Sequence, residues 1–152
     1  GGGGGRHVVK IGDLGVAKAL GTTTAFAHTV VGTPYYLSPE LCEDKPYNAK
    51  SDVWALGVVL YECCALDFPY TALNQCALVM KIVKDKPEPI PAGNVSPDLN
   101  KMCRRLLQKN PDRRPGLEDI LGLRSVQQYM DAHGFELPPG VARAPPLARA
   151  DP

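Results

Sequence analysis

An apolar run from Val53 to Leu66 constrains the fold of this chain more than any other feature of its sequence. Ser51 and Asp52 precede the run, and a small hydroxyl residue followed by a carboxylate is typical of a helix start. A helix that is apolar on every side belongs in the centre of a domain. The run contains Glu62 and is shorter than the ~18 residues of a membrane helix, so it predicts a buried helix and no membrane-spanning segment.

The composition is that of an ordinary globular domain. The chain has 152 residues, of which 44% are hydrophobic and 22% charged, which predicts a single domain with a core. Lysine and arginine number 17 against 16 aspartates and glutamates, so the net charge of +1 does not predict nucleic acid or an anionic membrane as a partner. The five cysteines lack Cys-x-x-Cys spacing, which argues against a disulfide framework and a zinc site and favours reduced thiols inside a cell.

Further helices are predicted where a capping residue precedes periodic apolar positions. Residues 38–40 combine a serine cap, a proline and a glutamate, which predicts a short helix. Asn74 and Ser96 each precede a longer amphipathic segment. A short helix is predicted from Leu117, and residues 127–133 either continue it or form a separate turn.

The remaining segments are predicted to be non-helical. Residues 8–11 form a β-branched strand that runs into a tight turn at 12–15. Residues 16–34 are rich in threonine and alanine without periodicity and predict a long surface loop, which in a compact domain is typically functional. Residues 1–7 are expected to be a glycine-rich loop or linker, and residues 137–152 a disordered tail rich in proline and alanine.

Four strings, taken in order, carry a family resemblance: Val-Lys-Ile-Gly-Asp-Leu-Gly at 9–15, Gly-Thr-Pro-Tyr-Tyr-Leu-Ser-Pro-Glu at 32–40, Ser-Asp-Val-Trp-Ala-Leu-Gly at 51–57 and Asn-Pro-Asp-Arg-Arg-Pro at 110–115. They resemble the large lobe of a eukaryotic protein kinase from the metal-binding Asp-Phe-Gly motif onward, and residues 29–42 with 47–54 are similar to the NIMA-related (Nek) serine/threonine kinases. The resemblance implies a protein-kinase-like α+β fold, here a C-terminal lobe fragment that is mainly α-helical with a short N-terminal strand and a long activation loop. Residues 8–121 would be a partial protein kinase domain, and residues 122–136 the end of its last helix and a turn.

A metal site at Asp13 is implied by the resemblance. Asp13 matches the aspartate that holds Mg²⁺ against the phosphates of ATP, and carboxylate oxygen suits this hard cation. The alternative is a turn aspartate that caps local amides. Leu14 stands where most kinases have phenylalanine, and with Gly15 it is expected to support the site structurally.

The loop at 16–31 corresponds to the activation segment of the family. Thr29 matches the position whose phosphorylation orders this segment, since a phosphate adds about −1.5 to −2 charges and three acceptor oxygens. The alternative is an unmodified loop threonine, and the hydroxyls at 22–24 compete for the role. The family's substrate-binding positions are matched by Gly32, Thr33 and Pro34. Among them, Thr33 marks specificity for serine and threonine.

Structural support is implied at three further positions. Glu40 and Arg114 match a family ion pair that ties the end of the activation segment to the loop before the last helices, and the guanidinium can bind a carboxylate bidentately. The alternative is a solvated arginine beside Arg113. Asp52 matches the aspartate that hydrogen-bonds the backbone of the catalytic loop, and it is also a favourable charge at a helix N-terminus.

Two groups of side chains are expected to play no chemical part. A basic cluster is predicted to be a solvated face, apart from the partner of Glu40, and comprises Arg104, Arg105, Lys109, Arg113 and Arg114. Apolar stripes are expected to carry core residues rather than reactive ones at Cys63, Cys64, Met102 and Cys103.

The resemblance implies a parent enzyme that transfers the γ-phosphoryl group of ATP to serine and threonine of proteins. Its expected partners are a protein substrate and an activating kinase, or a second copy for autophosphorylation in trans, without nucleic acid or membrane. Kinship associates the family with the cytoplasm, and within it with the cytoskeleton, centrosome or cilium.

Phosphoryl transfer also needs a glycine-rich phosphate loop, a phosphate-holding lysine and a catalytic-loop aspartate and asparagine, and this sequence contains no motif for them. We therefore expect no catalytic residue in this chain, no tight binding of ATP or Mg²⁺, and no activity of the chain alone. The alternative is a truncated, non-catalytic interaction module. A His-Arg-Asp loop encoded upstream would favour the kinase, and a start codon close to Gly1 the module.

Overall fold

A computed structural model of the chain describes residues 10, 12, 34–91, 93 and 95–145. Six α-helices and one 3₁₀ helix lie within these residues: α1 (Pro39–Cys42), α2 (Ala49–Ala65), α3 (Gln75–Lys84), α4 (Pro97–Leu106), the 3₁₀ helix (Pro111–Arg113), α5 (Leu117–Leu121) and α6 (Arg124–Ala132). No strand occurs in the described part. The strand predicted at 8–11, the glycine-rich segment and the long loop up to residue 33 lie almost wholly outside it.

Helix α2 is the long central helix that the apolar run predicted, but its start was predicted wrongly. Asn48 is its N-cap, and the Asn48 side chain accepts a 2.8 Å hydrogen bond from the amide of Lys50. Ser51 lies inside the helix, with its hydroxyl engaged elsewhere. The helix ends at Leu66, whose φ of +57° is left-handed and whose amide bonds to the carbonyl of Glu62.

The core surrounds one side of α2. Trp54 and Val58 are fully buried there, whereas Leu56 and Val59 are 42% and 47% exposed. Tyr61 and Cys64 of α2 also belong to the core. The segments around α2 add Tyr70, Leu78, Ile82, Ile90, Cys103 and Leu107. The apolar run therefore has a buried side and a partly exposed side. The prediction of a helix that is buried all round holds only for the buried side.

Helix α4 crosses α2 at a glycine. A Cβ atom added to Gly57 would lie 2.7 Å from the Cβ of Leu106 and 3.1 Å from a methyl of Leu107. Such distances are shorter than van der Waals contact, so only glycine permits this approach of the two helices. The position of α4 thereby also sets where the loop after it begins.

The predicted caps of α3 and α4 are present. The Asn74 side chain accepts from the amide of Ala77 at 2.8 Å, and the Ser96 hydroxyl accepts from the amide of Leu99 at 3.3 Å. These bonds satisfy amides that a helix start otherwise leaves without a partner. Both helices therefore begin where local side-chain chemistry predicts.

Helices α5 and α6 are separate, so residues 127–133 belong largely to a helix of their own, which is neither of the two predicted alternatives, a continuation or a turn. Residues 137–145, assigned from sequence to a disordered tail, contain no helix but lie against α6, where Gln127 hydrogen-bonds Ala142 and Ala144. The polar backbone here finds partners on a neighbouring helix, which composition does not reveal. No helix within the described residues is long and apolar enough to cross a membrane.

Candidate functional site

Glu40 and Arg114 form a buried ion pair at the junction of three segments. Arg114 donates from its two terminal nitrogens to the two carboxylate oxygens, each at 2.7 Å. Its other three N–H groups donate to the carbonyls of Gln108, Lys50 and Lys109 at 2.8, 2.7 and 3.1 Å. All five guanidinium donors are thus used, which satisfies a cation whose side chain is 0% exposed. The solvated arginine is thereby excluded.

The carboxylate of Glu40 is also held by α2. It lies in the first turn of α1, and the Ser51 hydroxyl in α2 donates to its Oε1 at 2.8 Å. The Lys50 ammonium donates to the carbonyl of Arg114 at 2.7 Å. The start of α2 therefore contacts both members of the pair.

The pKa of Glu40 shows the balance of these contacts. Burial alone would raise it, but hydrogen bonds from Arg114, from the backbone and from Ser51 outweigh burial and lower the pKa from 4.5 to about 2. Glu40 is therefore ionised at neutral pH and acts as a fixed anchor rather than as a proton donor.

The ring of Trp54 contacts both the arginine of this pair and a second cation. The guanidinium carbon of Arg114 lies 5.0 Å from the Trp54 ring centroid, and the Lys109 ammonium lies 5.2 Å from it. Lys109 also lies 4.1 Å from the ring of Tyr70, donates to the Tyr70 hydroxyl at 2.9 Å, and bonds the carbonyl of Ile82. The distances of Arg114 and Lys109 from these rings are favourable for cation–π interactions.

Lys109 is half-buried, so the prediction that it belongs to a solvated face is wrong, although Arg104, Arg105 and Arg113 are exposed as predicted. Burial is the main cause that lowers the pKa of Lys109 from 10.5 to about 8. Sequence spacing could not separate Lys109 from its exposed neighbours, because its ring partners come from distant segments.

Residues 34–37 form a turn fixed on the end of α2. The amide of Leu37 donates to the carbonyl of Pro34 at 3.2 Å. Tyr35 stacks on Phe68 with ring centroids 4.0 Å apart and an 8° angle, and Tyr36 meets the same ring edge-on at 6.0 Å. Pro34 is buried, so it can shape this surface but offers a ligand little of its own.

The Tyr36 hydroxyl donates to Glu62 Oε2 at 2.9 Å, and this bond is the main reason that the pKa of Tyr36 is raised. Sequence reasoning missed the contact. One signal was available, because Glu62 is the single charged residue of the apolar run and such a residue needs a polar partner. We call residues 34–37 with Glu62 and Phe68 the tyrosine platform.

Asp52 is exposed in the first turn of α2 and accepts a hydrogen bond from the Tyr47 hydroxyl. Burial and the Asp52 carboxylate together raise the pKa of Tyr47 to about 12. The position suits a favourable charge at a helix N-terminus. The contact of Asp52 with a catalytic loop stays a prediction.

Several predicted site residues lie outside the described residues: Asp13, Leu14, Gly15, Thr29, Gly32 and Thr33. Within the described ranges, no group of three or more histidine, cysteine, aspartate or glutamate side chains could hold a metal ion. A cavity of about 530 Å³ beside α4 is lined by Tyr61, Ile90, Cys103 and Leu107 among others, but contains none of the predicted site residues.

Within the described residues, no two cysteines form a disulfide. Burial is the first cause that raises the pKa of Cys42 to about 11 and that of Cys103 to about 12, so neither is a reactive thiolate at neutral pH. Cys64 and Cys103 are buried as predicted. Cys63 is exposed, so its assignment to the core is wrong. It lies on the side of α2 that the other described segments do not cover.

Comparison with known proteins defines the class of this protein. Residues 4–124 match the family model of the protein kinase domain, and the chain therefore belongs to the protein kinase family. Curated relatives of the chain include Nek serine/threonine kinases. Nek1 of Mus musculus is 48% identical over 113 residues, 74% of this chain and 9% of that protein. The nekl-2 kinase of Caenorhabditis elegans is 43% identical over 145 residues, 92% of this chain and 40% of that protein.

A third relative, Nek8 of Danio rerio, is 49% identical over 114 residues, 75% of this chain and 16% of that protein. The chain thus spans less than half the length of each of these relatives. The protein kinase and Nek resemblance stated from the four strings is confirmed. The match covers only part of a kinase domain, which agrees with the prediction that this chain contains a partial one.

Proposed function

We propose that this chain is the substrate-holding part of a Nek-type serine/threonine protein kinase, which transfers the γ-phosphoryl group of ATP to hydroxyls of protein substrates. The observation that carries the proposal is the tyrosine platform, fixed on α2 and followed directly by α1 with its Glu40–Arg114 anchor. Positioning is most of what a protein kinase contributes to phosphoryl transfer. A rigid support below the substrate is what this geometry supplies.

The residues just before the platform would receive the substrate. Gly32 and Thr33 lead into Pro34, and we propose that these three form the floor beneath the acceptor region, with Thr33 selecting serine and threonine. Support comes from Pro34, which is buried and directly follows Thr33 in the sequence. Phosphorylation of Thr29, by another kinase or by a second copy in trans, would order the loop before this floor.

Protein kinases use ATP and Mg²⁺ in general. We propose that the Asp13 carboxylate holds Mg²⁺, supported by Leu14 and Gly15, and that Asp52 orients the catalytic loop of the whole protein. The metal supplies charge neutralisation at the phosphates when bound. Protein substrates, cytoplasmic location and association with the cytoskeleton, centrosome or cilium are proposed from kinship alone.

A chimera tests the proposal. The 113-residue aligned stretch of mouse Nek1 is replaced in the Nek1 kinase by the corresponding stretch of this chain, and transfer of labelled phosphate to a protein mixture is measured. Phosphoserine and phosphothreonine are expected, and Asp13→Asn in the chimera should abolish transfer. A chimera that melts like Nek1 yet transfers nothing would reject the kinase and favour the non-catalytic interaction module.

The isolated 152-residue chain provides the complementary assay. Because its sequence carries no phosphate loop and no catalytic-loop aspartate, we expect no transfer above a heat-killed sample. Turnover by the isolated chain would contradict this part of the proposal.

A further inference from the structure

A tight turn directs the chain back along α6 after that helix has ended. The amide of Val141 donates to the carbonyl of Pro138 at 3.3 Å, and Gly140 has a φ of +88°. Proline at the second position and a left-handed glycine at the third are the requirements of a type II turn. The Pro-Pro-Gly sequence at 138–140 therefore builds the turn locally, and the next residues face α6.

The Gln127 side chain of α6 forms hydrogen bonds with the backbone of the returning segment. Its side-chain nitrogen donates to the carbonyls of Ala142 at 2.9 Å and Leu121 at 3.0 Å, and its oxygen accepts from the amide of Ala144 at 2.7 Å. Gln127 is 5% exposed. An amide side chain that binds a carbonyl and the amide two residues later reproduces the pairing that a neighbouring strand would offer.

Arg143 lies between Ala142 and Ala144 and is bound through its side chain. Arg143 donates to both carboxylate oxygens of Asp131, at 3.0 and 3.1 Å. Asp131 lies four residues after Gln127 and therefore on the same face of α6. The pair is exposed, so it adds selectivity for a cation rather than much affinity.

We propose that Gln127 and Asp131 form a docking site for an extended segment with arginine between two small residues, and that residues 141–145 of this chain occupy it in cis. The hydrogen bonds from Gln127 to the backbone set the register of the segment. The Asp131 carboxylate selects arginine at the central position. The docking site includes neither the tyrosine platform nor any of the predicted kinase site residues. It is therefore independent of the proposed function. Another segment with the same pattern should compete for it.

Amide hydrogen exchange of the full chain tests the docking in cis. The Ala144 amide should exchange about tenfold more slowly than in an unstructured peptide, since two hydrogen bonds hold its segment to Gln127. Gln127→Ala should remove this protection. Gln128→Ala is the matched control, because Gln128 is the exposed neighbour on α6 and its loss should leave Ala144 protected.

Arg143→Ala separates docking from folding, because this substitution leaves α6 unaltered. We expect Ala144 protection to fall about two- to fivefold, the range of an exposed ion pair, with amides inside α6 unchanged. A peptide of residues 141–145 is then added to compete with the same segment in cis. Its concentration is about tenfold above the millimolar effective concentration that a short tether gives the attached segment. It should speed exchange at Ala144, and the same peptide with alanine for arginine should do so less.

Three results would overturn the docking site: an Ala144 amide that exchanges at the unstructured rate, protection that survives Gln127→Ala, or exchange at Ala144 that the arginine peptide leaves unchanged. If Gln127→Ala also unfolds α6, the Arg143→Ala and peptide experiments decide alone.

Discussion

Glu40 and Arg114 lie 74 positions apart in the chain and share two hydrogen bonds of 2.7 Å, one to each carboxylate oxygen. The pair joins α1, which follows the tyrosine platform, to the segment after the 3₁₀ helix. Because Arg114 also binds three backbone carbonyls, the pair fixes backbone as well as side chains. The platform is thereby tied to the helical core.

Breaking this pair should destabilise the fold strongly. Glu40→Gln and Arg114→Lys should each lower the free energy of unfolding by about 3 to 5 kcal/mol, because the remaining group is buried without its full set of partners. Urea denaturation followed by circular dichroism measures this. Glu43→Gln is the control, since Glu43 and Lys45 are 2.6 Å apart but exposed, and it should change little. Equal effects at the two sites would contradict the role of burial.

Acid should weaken the same pair. The pKa of Glu40 is lowered from 4.5 to about 2 in the fold, so its contribution to stability is complete above about pH 4.5 and is lost as the pH falls toward 2. The difference in free energy of unfolding between the wild type and Glu40→Gln should therefore shrink over that window. Urea titrations at several pH values measure it, and a constant difference would argue against ionised Glu40.

Ser51 should act through Glu40 and not as a helix cap. A double-mutant cycle of Ser51→Ala with Glu40→Ala should give a coupling energy of about 1 kcal/mol, since the two side chains share a hydrogen bond of 2.8 Å. Asn48→Ala should cost about 1 kcal/mol as loss of the true cap, and should add to Glu40→Ala with less coupling. Larger coupling for Asn48 than for Ser51 would reverse the assignment.

Gly57→Ala should destabilise the protein although alanine is the better helix former. The change would by itself stabilise a helix interior by about 0.5 to 1 kcal/mol, but the new methyl group would lie 2.7 Å from Leu106 Cβ. Overpacking of this kind costs about 1 to 3 kcal/mol, so the midpoint of urea unfolding should fall. Val59→Ala, on the exposed side of α2, is expected to stay within about 0.5 kcal/mol.

Lys109 should make stability rise with pH in the alkaline range. Its pKa is lowered from 10.5 to about 8 in the fold, so between these values the unfolded chain keeps a proton that the folded chain has released. Under this condition the free energy of unfolding increases with pH. The stability of the wild type relative to Lys109→Met should grow from pH 8 to about 10.5. A difference that stays constant would place Lys109 in solvent.

Local chemistry decided the features that the sequence predicted well. Asn74 and Ser96 cap helices because each hydroxyl or amide oxygen lies within three residues of the amide that it accepts from. The apolar run predicted the central helix for the same reason, since its length and its uninterrupted apolar character are properties of neighbours along the chain. The pairing of Glu40 with Arg114 came from family resemblance, because spacing alone carries no information across such a distance.

Only the tertiary structure decided which polar groups have distant partners. Ser51 had the local signature of a cap, yet its hydroxyl binds Glu40 on another helix. Lys109 had the signature of a solvated cation, yet it is half-buried and contacts the rings of Trp54 and Tyr70. By itself, the sequence determined the helices, the caps of α3 and α4 and the kinase family. Burial decided the rest, because it depends on how the helices pack against one another and not on neighbours in the chain.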